Sequence, residues 1–133
     1  MAVTLDDDQS AYRAGACNIG PEEMAARRRI GVVQLLLAVL IGAGLVALDT
    51  PAWTRLAVWP LLAAAFTTLE QVRRRFCVAF GFAGLRNFGA IGRAERIEDA
   101  AARAADRRAA LVMVTYCALA AAAVTALFVA SPG

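Results

Sequence analysis

Two long runs without a charged residue constrain this chain more than any other feature of its sequence. Ile30–Leu48 has 19 consecutive uncharged residues, and Ala109–Ala130 has 22. A helix rises about 1.5 Å per residue, so about 20 apolar residues cross the roughly 30 Å hydrocarbon core of a bilayer. Each run is therefore long enough to form a transmembrane helix.

The composition supports this reading. Hydrophobic residues make up 60% of the 133 residues and charged residues 19%, whereas soluble domains are typically about 45–50% apolar and about 25% charged. A chain this short has too little interior to hide the excess. The sequence therefore favours an integral membrane protein over a soluble enzyme or a disordered chain.

A third, shorter helix is predicted between the two runs. The uncharged stretch Leu56–Leu69 has 14 residues and lies between Arg55 and Glu70. It spans a bilayer only if both charged side chains reach the interfaces by snorkelling. We predict an all-α integral membrane fold with three transmembrane helices, at about residues 30–48, 53–72 and 109–130.

The remaining segments are assigned to the cytoplasmic side. Residues 1–20 are predicted to be an N-terminal tail, and residues 21–133 a single three-span membrane domain. Within that domain, residues 76–108 are predicted to form an interfacial segment and a helix extension, because the apolar run Phe76–Leu85 is too short to cross. From Arg93 the pattern becomes helical and predicts one long third helix.

The arginines predict the orientation. All 14 basic residues are arginine, and 13 of them fall at one end of the predicted bundle, with Arg55 at the other. The positive-inside rule makes the arginine-rich end cytoplasmic. We expect a protein of the inner (cytoplasmic) membrane with its N-terminus inside and its C-terminus outside. Anionic lipids of the bilayer explain the arginine cluster better than nucleic acid does.

Small residues are candidates for helix packing, since lipid gives helices no hydrophobic reason to associate. The candidates on the first and third helices are Ala38, Gly42, Gly44, Ala118, Ala122 and Ala126. The alternative is that alanine is simply abundant in this chain. Three spans with short loops bury little surface, so we expect partners that are other membrane subunits or copies of the same chain.

Two cysteines are candidates for thiol chemistry. Cys17 precedes the first span and Cys77 follows the second, and a helical hairpin brings such ends together. A thiol near Arg75 would have a lowered pKa and more reactive thiolate, suited to sulfur transfer or soft-metal handling. The alternative is that both cysteines act as small hydrophobes, the role we expect for Cys117 within the third span. Whether any metal binds stays open.

The segment between residues 17 and 92 resembles a known membrane domain. The residues that carry the likeness, in chain order, are Asn18-Ile19-Gly20, Arg28, Arg29, Gly31, Phe76-Cys77, Gly81 and Gly84. This order resembles the small YgaP-type membrane domain that accompanies rhodanese sulfurtransferases. The resemblance implies sulfur or persulfide handling at Cys77. The chain departs from that pattern at Val78, where the family usually has proline, and it adds a third span.

A glycine-containing stretch after the second helix is a candidate site for an anion or a lipid head group. Its residues are Gly81, Gly84, Arg86 and Asn87. Glycines let backbone N–H groups approach an anion, although no phosphate-binding loop motif is present. The alternative is a flexible connector that lies on the membrane.

The sequence contains no motif for a cofactor, and none is expected. Gln34 and Glu70 are the candidates for a proton or cation relay, but Glu70 is predicted to pair with Arg73 or Arg74. The leading hypothesis is a non-catalytic helix-packing subunit of a larger membrane complex or homo-oligomer. The alternatives are thiol chemistry at the cytoplasmic face by Cys17 and Cys77 and, less favoured, a small transporter.

Overall fold

The computed structural model describes residues 11–132, which form four α-helices, one 3₁₀ helix and a minimal sheet. In chain order the elements are α1 (Pro21–Ala47), the 3₁₀ helix (Ala52–Ala57), α2 (Val58–Arg74), α3 (Val78–Ala83), β1 (Leu85–Arg86), β2 (Glu95–Arg96) and α4 (Ala100–Ala130). The two strands pair antiparallel, with Leu85 opposite Arg96. The predicted all-α fold is confirmed for the described residues, with this short hairpin as its one departure.

Helix α2 forms the centre of the bundle, and both α1 and α4 pack against it. Helix α1 approaches through small residues, Gly31 and Ala38 among them, because a larger side chain would hold the backbones apart. At Gly31 a Cβ atom would lie 2.6 Å from the Leu69 side chain. The end of the bundle where α1 begins and α2 ends carries Arg27–Arg29 and Arg73–Arg75, and is called the Arg-rich end below.

Two helices, α1 and α4, are long and apolar enough to cross a membrane. In their most apolar windows only 17% and 22% of the residues are buried, whereas the core helix of a soluble protein is mostly buried. Leucines such as Leu40 and Leu127 are exposed on their outer faces. These exposed apolar faces suggest a membrane location. Helix α2, with 17 residues, is shorter than either of them.

The second predicted helix starts later than the sequence pattern indicates. Residues Ala52–Ala57 form the tighter 3₁₀ helix, and the α-helix begins at Val58 rather than at residue 53. Pro60 consequently falls in the first turn of α2, where its missing N–H has no intrahelical partner to lose. The connection from α1 turns at Asp49, which has a φ of +53°.

Helix α4 runs unbroken through Ala130, which confirms a long third helix, but it begins at Ala100 and not at Arg93. The Asp99 side chain caps it by accepting hydrogen bonds from the amides of Ala101 and Ala102. The residues before Asp99 include strand β2, so the predicted helix extension is partly a hairpin. The pairing of β2 with β1 provides hydrogen-bond partners that a helix would otherwise supply.

The N-terminal segment is packed against the bundle wherever it is described. The predicted tail, residues 1–20, includes Asp6, Asp7 and Asp8, which lie outside the described residues. Residues 11–20 are held by hydrogen bonds to the α2–α3 connection and to α4. This part of the predicted tail therefore packs against the bundle.

Candidate functional site

Asn18 joins the N-terminal segment to the start of α3 and is fully buried. Its side-chain oxygen accepts a hydrogen bond from the Cys77 amide at 2.6 Å, and its side-chain nitrogen donates to the Cys77 carbonyl at 3.2 Å. The Asn18 backbone amide donates to the Arg75 carbonyl. The segments that carry Cys17 and Cys77 are thus joined by hydrogen bonds, with Asn18 as the link.

The Cys77 thiol lies beside a guanidinium group. Nη2 of Arg27 is 2.8 Å from Sγ of Cys77, and the same guanidinium forms an ion pair with Glu23. Glu23 is 5% exposed, and the Asn87 side chain donates to it at 3.5 Å. The Cys77 sulfur thus has a charged N–H donor as its neighbour.

Cys77 also lines an open cleft of about 600 Å³ at the Arg-rich end. Apolar side chains, Phe80 and Ile91 among them, form part of its wall, and Gln71 and Thr68 add polar groups. The Cys77 residue itself is 1% exposed. Cys77 thus borders the cleft but is almost wholly covered by its neighbours.

The Cys17 thiol has a different environment. Its nearest polar partner is the Ile19 carbonyl, 3.9 Å from Sγ, and all three cysteines are free thiols. Burial raises the pKa of the Cys17 thiol, and the charge of Arg75 lowers it by less. The net shift is upward, opposite to the shift expected from Arg75 alone, because desolvation of a thiolate outweighs a partly screened attraction.

The stretch predicted as an anion site serves internal contacts. Gly81 packs α3 on α4, where an added Cβ would lie 3.0 Å from the Asp106 carbonyl oxygen. Gly84 ends α3 with a φ of +75° and its carbonyl accepts from the Ile97 amide. Arg86 pairs with Glu95 at 3.8 Å.

Asn87 likewise bonds within the chain. Its backbone amide donates to the Asn18 carbonyl, and its side-chain oxygen accepts from the Gly89 amide. Its side-chain nitrogen donates to the Ala90 carbonyl at 2.9 Å. The structure therefore gives these four residues packing and turn contacts.

Sequence reasoning missed Asp106, which anchors the N-terminal segment from α4. This carboxylate is fully buried and accepts hydrogen bonds from the Tyr12 hydroxyl at 2.8 Å and from the Gly15 amide at 2.6 Å. Burial, followed by the hydrogen bond to Asp106, raises the pKa of Tyr12. The sequence showed an acidic residue among arginines on the predicted helix. It gave no indication that this residue contacts Gly15, which lies 91 positions away.

The predicted pairing of Glu70 is confirmed. Arg73 forms two hydrogen bonds to its carboxylate, at 2.5 and 2.7 Å, and Nε of Arg74 lies 3.6 Å away. The Tyr116 hydroxyl of α4 also donates to Glu70. The other relay candidate, Gln34, has a buried side-chain oxygen for which the described residues provide no hydrogen-bond partner.

The small-residue candidates divide between contact and exposed positions. Ala38 and Gly42 are buried, and Gly42 lies against Phe128, whereas a Cβ on Gly44 would have no neighbour within 4 Å. On α4 the buried residues that follow Ala110 are Met113, Cys117, Ala121 and Thr125. The predicted stripe lies one position along from them: Ala118 is half-buried, and Ala122 and Ala126 are exposed.

An apolar groove of about 600 Å³ runs between α1 and α4, over α2, at the end of the bundle opposite the Arg-rich end. Its floor includes Val58 and Leu62, and its walls include Ala43 of α1 and Val124 of α4.

Among residues 11–132, no cluster of three or more histidine, cysteine or acidic side chains could hold a metal ion. Comparison of the chain with protein-family models, with curated proteins and with solved structures finds no match.

Proposed function

We propose that this chain is a three-span protein of the inner membrane with its Arg-rich end in the cytoplasm. The exposed apolar faces of α1 and α4 support two spans. Helix α2 lies between them and would cross with them. Its 17 residues rise about 25 Å, and the six-residue 3₁₀ helix before it adds about 12 Å, enough together for a hydrocarbon core.

Within that membrane, the chain acts as a non-catalytic helix-packing subunit of a larger complex or of a homo-oligomer. The observation that carries this proposal is the groove between α1 and α4, which is almost wholly apolar and has small residues on its α1 wall. In lipid, helix association depends on close packing, and small residues permit it. A transmembrane helix fits a concave apolar surface of this kind.

The test is to fill the groove. Ala43 is exposed and lines it, so Ala43→Phe blocks the groove without entering the contact between α1 and α2. The matched control is Ala123→Phe, an equal change at an exposed α4 position away from the groove. After gentle detergent extraction and sizing, the wild type and the control should elute as an assembly, and Ala43→Phe should shift mainly to the monomer. A monodisperse wild-type monomer with no co-purifying partner would contradict the proposal.

Thiol chemistry at the cytoplasmic face is the second candidate, favoured by the 2.8 Å contact between Arg27 and Cys77. In a sulfur transfer, the Cys77 thiolate attacks the outer sulfur of a donor persulfide. A new S–S bond forms on Cys77, and the donor leaves as its thiolate. Arg27 would stabilise the negative charge before and after that step. The resemblance to the YgaP-type domain implies the same residue.

A labelling experiment tests this second candidate. The purified protein in micelles is treated with a small persulfide donor, and persulfide on each cysteine is counted by mass spectrometry. Cys77 should be modified faster than Cys17, and Arg27→Gln should slow Cys77 about tenfold, the effect of about 1.4 kcal/mol. Arg28→Gln, an exposed neighbour, is the control. Equal labelling of Cys17 and Cys77 would rule against a specialised thiol.

A further inference from the structure

The Arg-rich end carries a second cleft, on the side of the bundle where α2 meets α4. Its volume is about 310 Å³. Two arginines from different helices line it, Arg74 at the end of α2 and Arg108 on α4. Val112 and Met113 of α4 form apolar wall beside them. One boundary of the cleft is thus cationic and another is apolar.

Within the described residues, neither of these two arginines forms a close ion pair with an acidic side chain. Glu70 accepts two hydrogen bonds from Arg73 and one from the Tyr116 hydroxyl, whereas Arg74 lies 3.6 Å from that carboxylate and over the Tyr116 ring. The exposed side chain of Arg108 makes no ion pair or hydrogen bond with residues 11–132. The nearest acidic group on α4, Asp106, faces Tyr12 and Gly15 instead.

The cleft lies at the depth where a lipid head group would lie. Arg108 is the last charged residue before the uncharged run Ala109–Ala130, and Arg74 follows the end of the uncharged stretch of α2. Guanidinium groups bind phosphate oxygens through paired N–H donors. Basic clefts between transmembrane helices on the cytoplasmic side are suited to anionic head groups.

We propose that this cleft binds the phosphate of an anionic phospholipid, with Arg74 and Arg108 on the head group and an acyl chain along Val112 and Met113. This inference rests on the membrane placement proposed above. It does not depend on the apolar groove between α1 and α4, which lies towards the other end of the bundle.

The experiment measures binding of phosphatidylglycerol to the full chain in detergent micelles by native mass spectrometry. The test variant is Arg74→Gln/Arg108→Gln. The matched control is Arg28→Gln/Arg107→Gln, which removes the same charge from exposed positions at the same end that do not line the cleft. A direct guanidinium–phosphate contact contributes about 1 kcal/mol net, so the test variant, which loses two of them, should lose about 30-fold in affinity. The control should stay within about twofold of the wild type, since its charges act only at long range.

A single variant, a zwitterionic lipid and a soluble phosphate test the site further. Arg108→Gln alone leaves the Glu70 pairing intact and should still lose several-fold, which guards against misfolding of the double variant. Phosphatidylcholine, whose choline cation offsets the phosphate charge, should bind the wild type more weakly than phosphatidylglycerol and lose less affinity in the test variant. Unchanged affinity in the test variant, or an equal loss in the control, would overturn the site. Displacement of the lipid by millimolar glycerol 3-phosphate would overturn the assignment to a lipid and indicate a soluble phosphate.

A separate experiment tests whether the protein is in the membrane. Flotation of the wild type and both double variants with liposomes tests whether the chain enters a bilayer at all. If none floats, the membrane proposal fails. If all float and the test variant binds phosphatidylglycerol like the wild type, only the head-group site fails.

Discussion

Single residues at the Arg-rich end determine how closely segments approach. Gly20 precedes α1 and its amide donates to the Asn87 carbonyl, which brings its Cα against Phe88. Asn18, two positions earlier, uses both ends of its amide on Cys77. Neither interaction depends on hydropathy, and both join segments that are far apart in the sequence.

Gly20→Ala should destabilise the protein. The new Cβ would lie 2.7 Å from the Phe88 carbonyl oxygen and 2.9 Å from its Cα, and backbone atoms cannot move aside cheaply. Overpacking of this kind costs about 1–3 kcal/mol. Thermal unfolding in detergent, followed by circular dichroism, measures it. Gly44→Ala is the control, because its Cβ meets nothing within 4 Å and alanine favours the helix. Equal melting of the two variants would contradict the prediction.

The Cys17 thiol should react more slowly than a cysteine in a free peptide. Its pKa is raised by burial, so at pH 8 less of it is thiolate, the reactive form. We expect the iodoacetamide rate in a Cys77→Ala/Cys117→Ala background to reach half its maximum at a higher pH than in a peptide of residues 13–20. A midpoint below that of the peptide would be evidence against this environment.

The same shift has a consequence for stability. A thiol with a raised folded-state pKa favours folding while it is protonated. That contribution is complete below the unfolded pKa and is lost as the pH rises through the folded pKa.

At the scale of elements, the C-terminal end of α4 explains why one arginine, Arg55, lies opposite the Arg-rich end. Arg55 in the 3₁₀ helix is 5% exposed, and its Nη1 donates to the carbonyls of Phe128 and Ser131, each at 2.9 Å. Its guanidinium also lies over the Phe128 ring. A cation at a helix C-terminus complements the helix dipole and the last unpaired carbonyls. Arg55 therefore acts as the C-terminal cap of α4.

Arg55→Met should loosen the end of α4. The change removes the charged donor from both carbonyls, and a hydrogen bond to a charged group is worth about 1.5–3 kcal/mol. Hydrogen exchange in micelles should show faster exchange in the last turns of α4, together with a lower melting temperature. Arg107→Met, at an exposed position of the same helix, should leave both unchanged. Protection of the α4 terminus equal to wild type would show that the cap is dispensable.

At the scale of the whole molecule, the three long elements have their charges at one end. Helices α1, α2 and α4 share the Arg-rich end, and Arg55 is engaged with α4 at the other. The two long helices expose most of their apolar windows. A bilayer accommodates both features, since it solvates apolar faces and retains arginines on the cytoplasmic side.

Reporter fusions test this orientation. A reporter enzyme active only outside the cytoplasm should be active when fused after Gly133 and inactive when inserted after Gly92, in the loop between β1 and β2. The physical reason is that the proposed three spans would place the C-terminus opposite the arginines. Activity at both positions or at neither would contradict a three-span arrangement. A fluorescent protein that folds only in the cytoplasm should give the reverse pattern at each position.

The sequence by itself determined the helical, strongly apolar character of the chain, because long uncharged runs favour helices that satisfy their own backbone hydrogen bonds. It also indicated the Glu70 pairing, which depends on residues three and four apart on one helix. Only the tertiary structure decided which face of α4 makes contact: Cys117 and Ala121 pack inward, and Ala122 faces out. The physical reason is that a helix apolar on every side has no hydropathy pattern to mark its buried face. The hydrogen bonds from Asn18 to Cys77 and from Tyr12 to Asp106 likewise join residues 59 and 94 positions apart, a separation at which local sequence carries no geometric information.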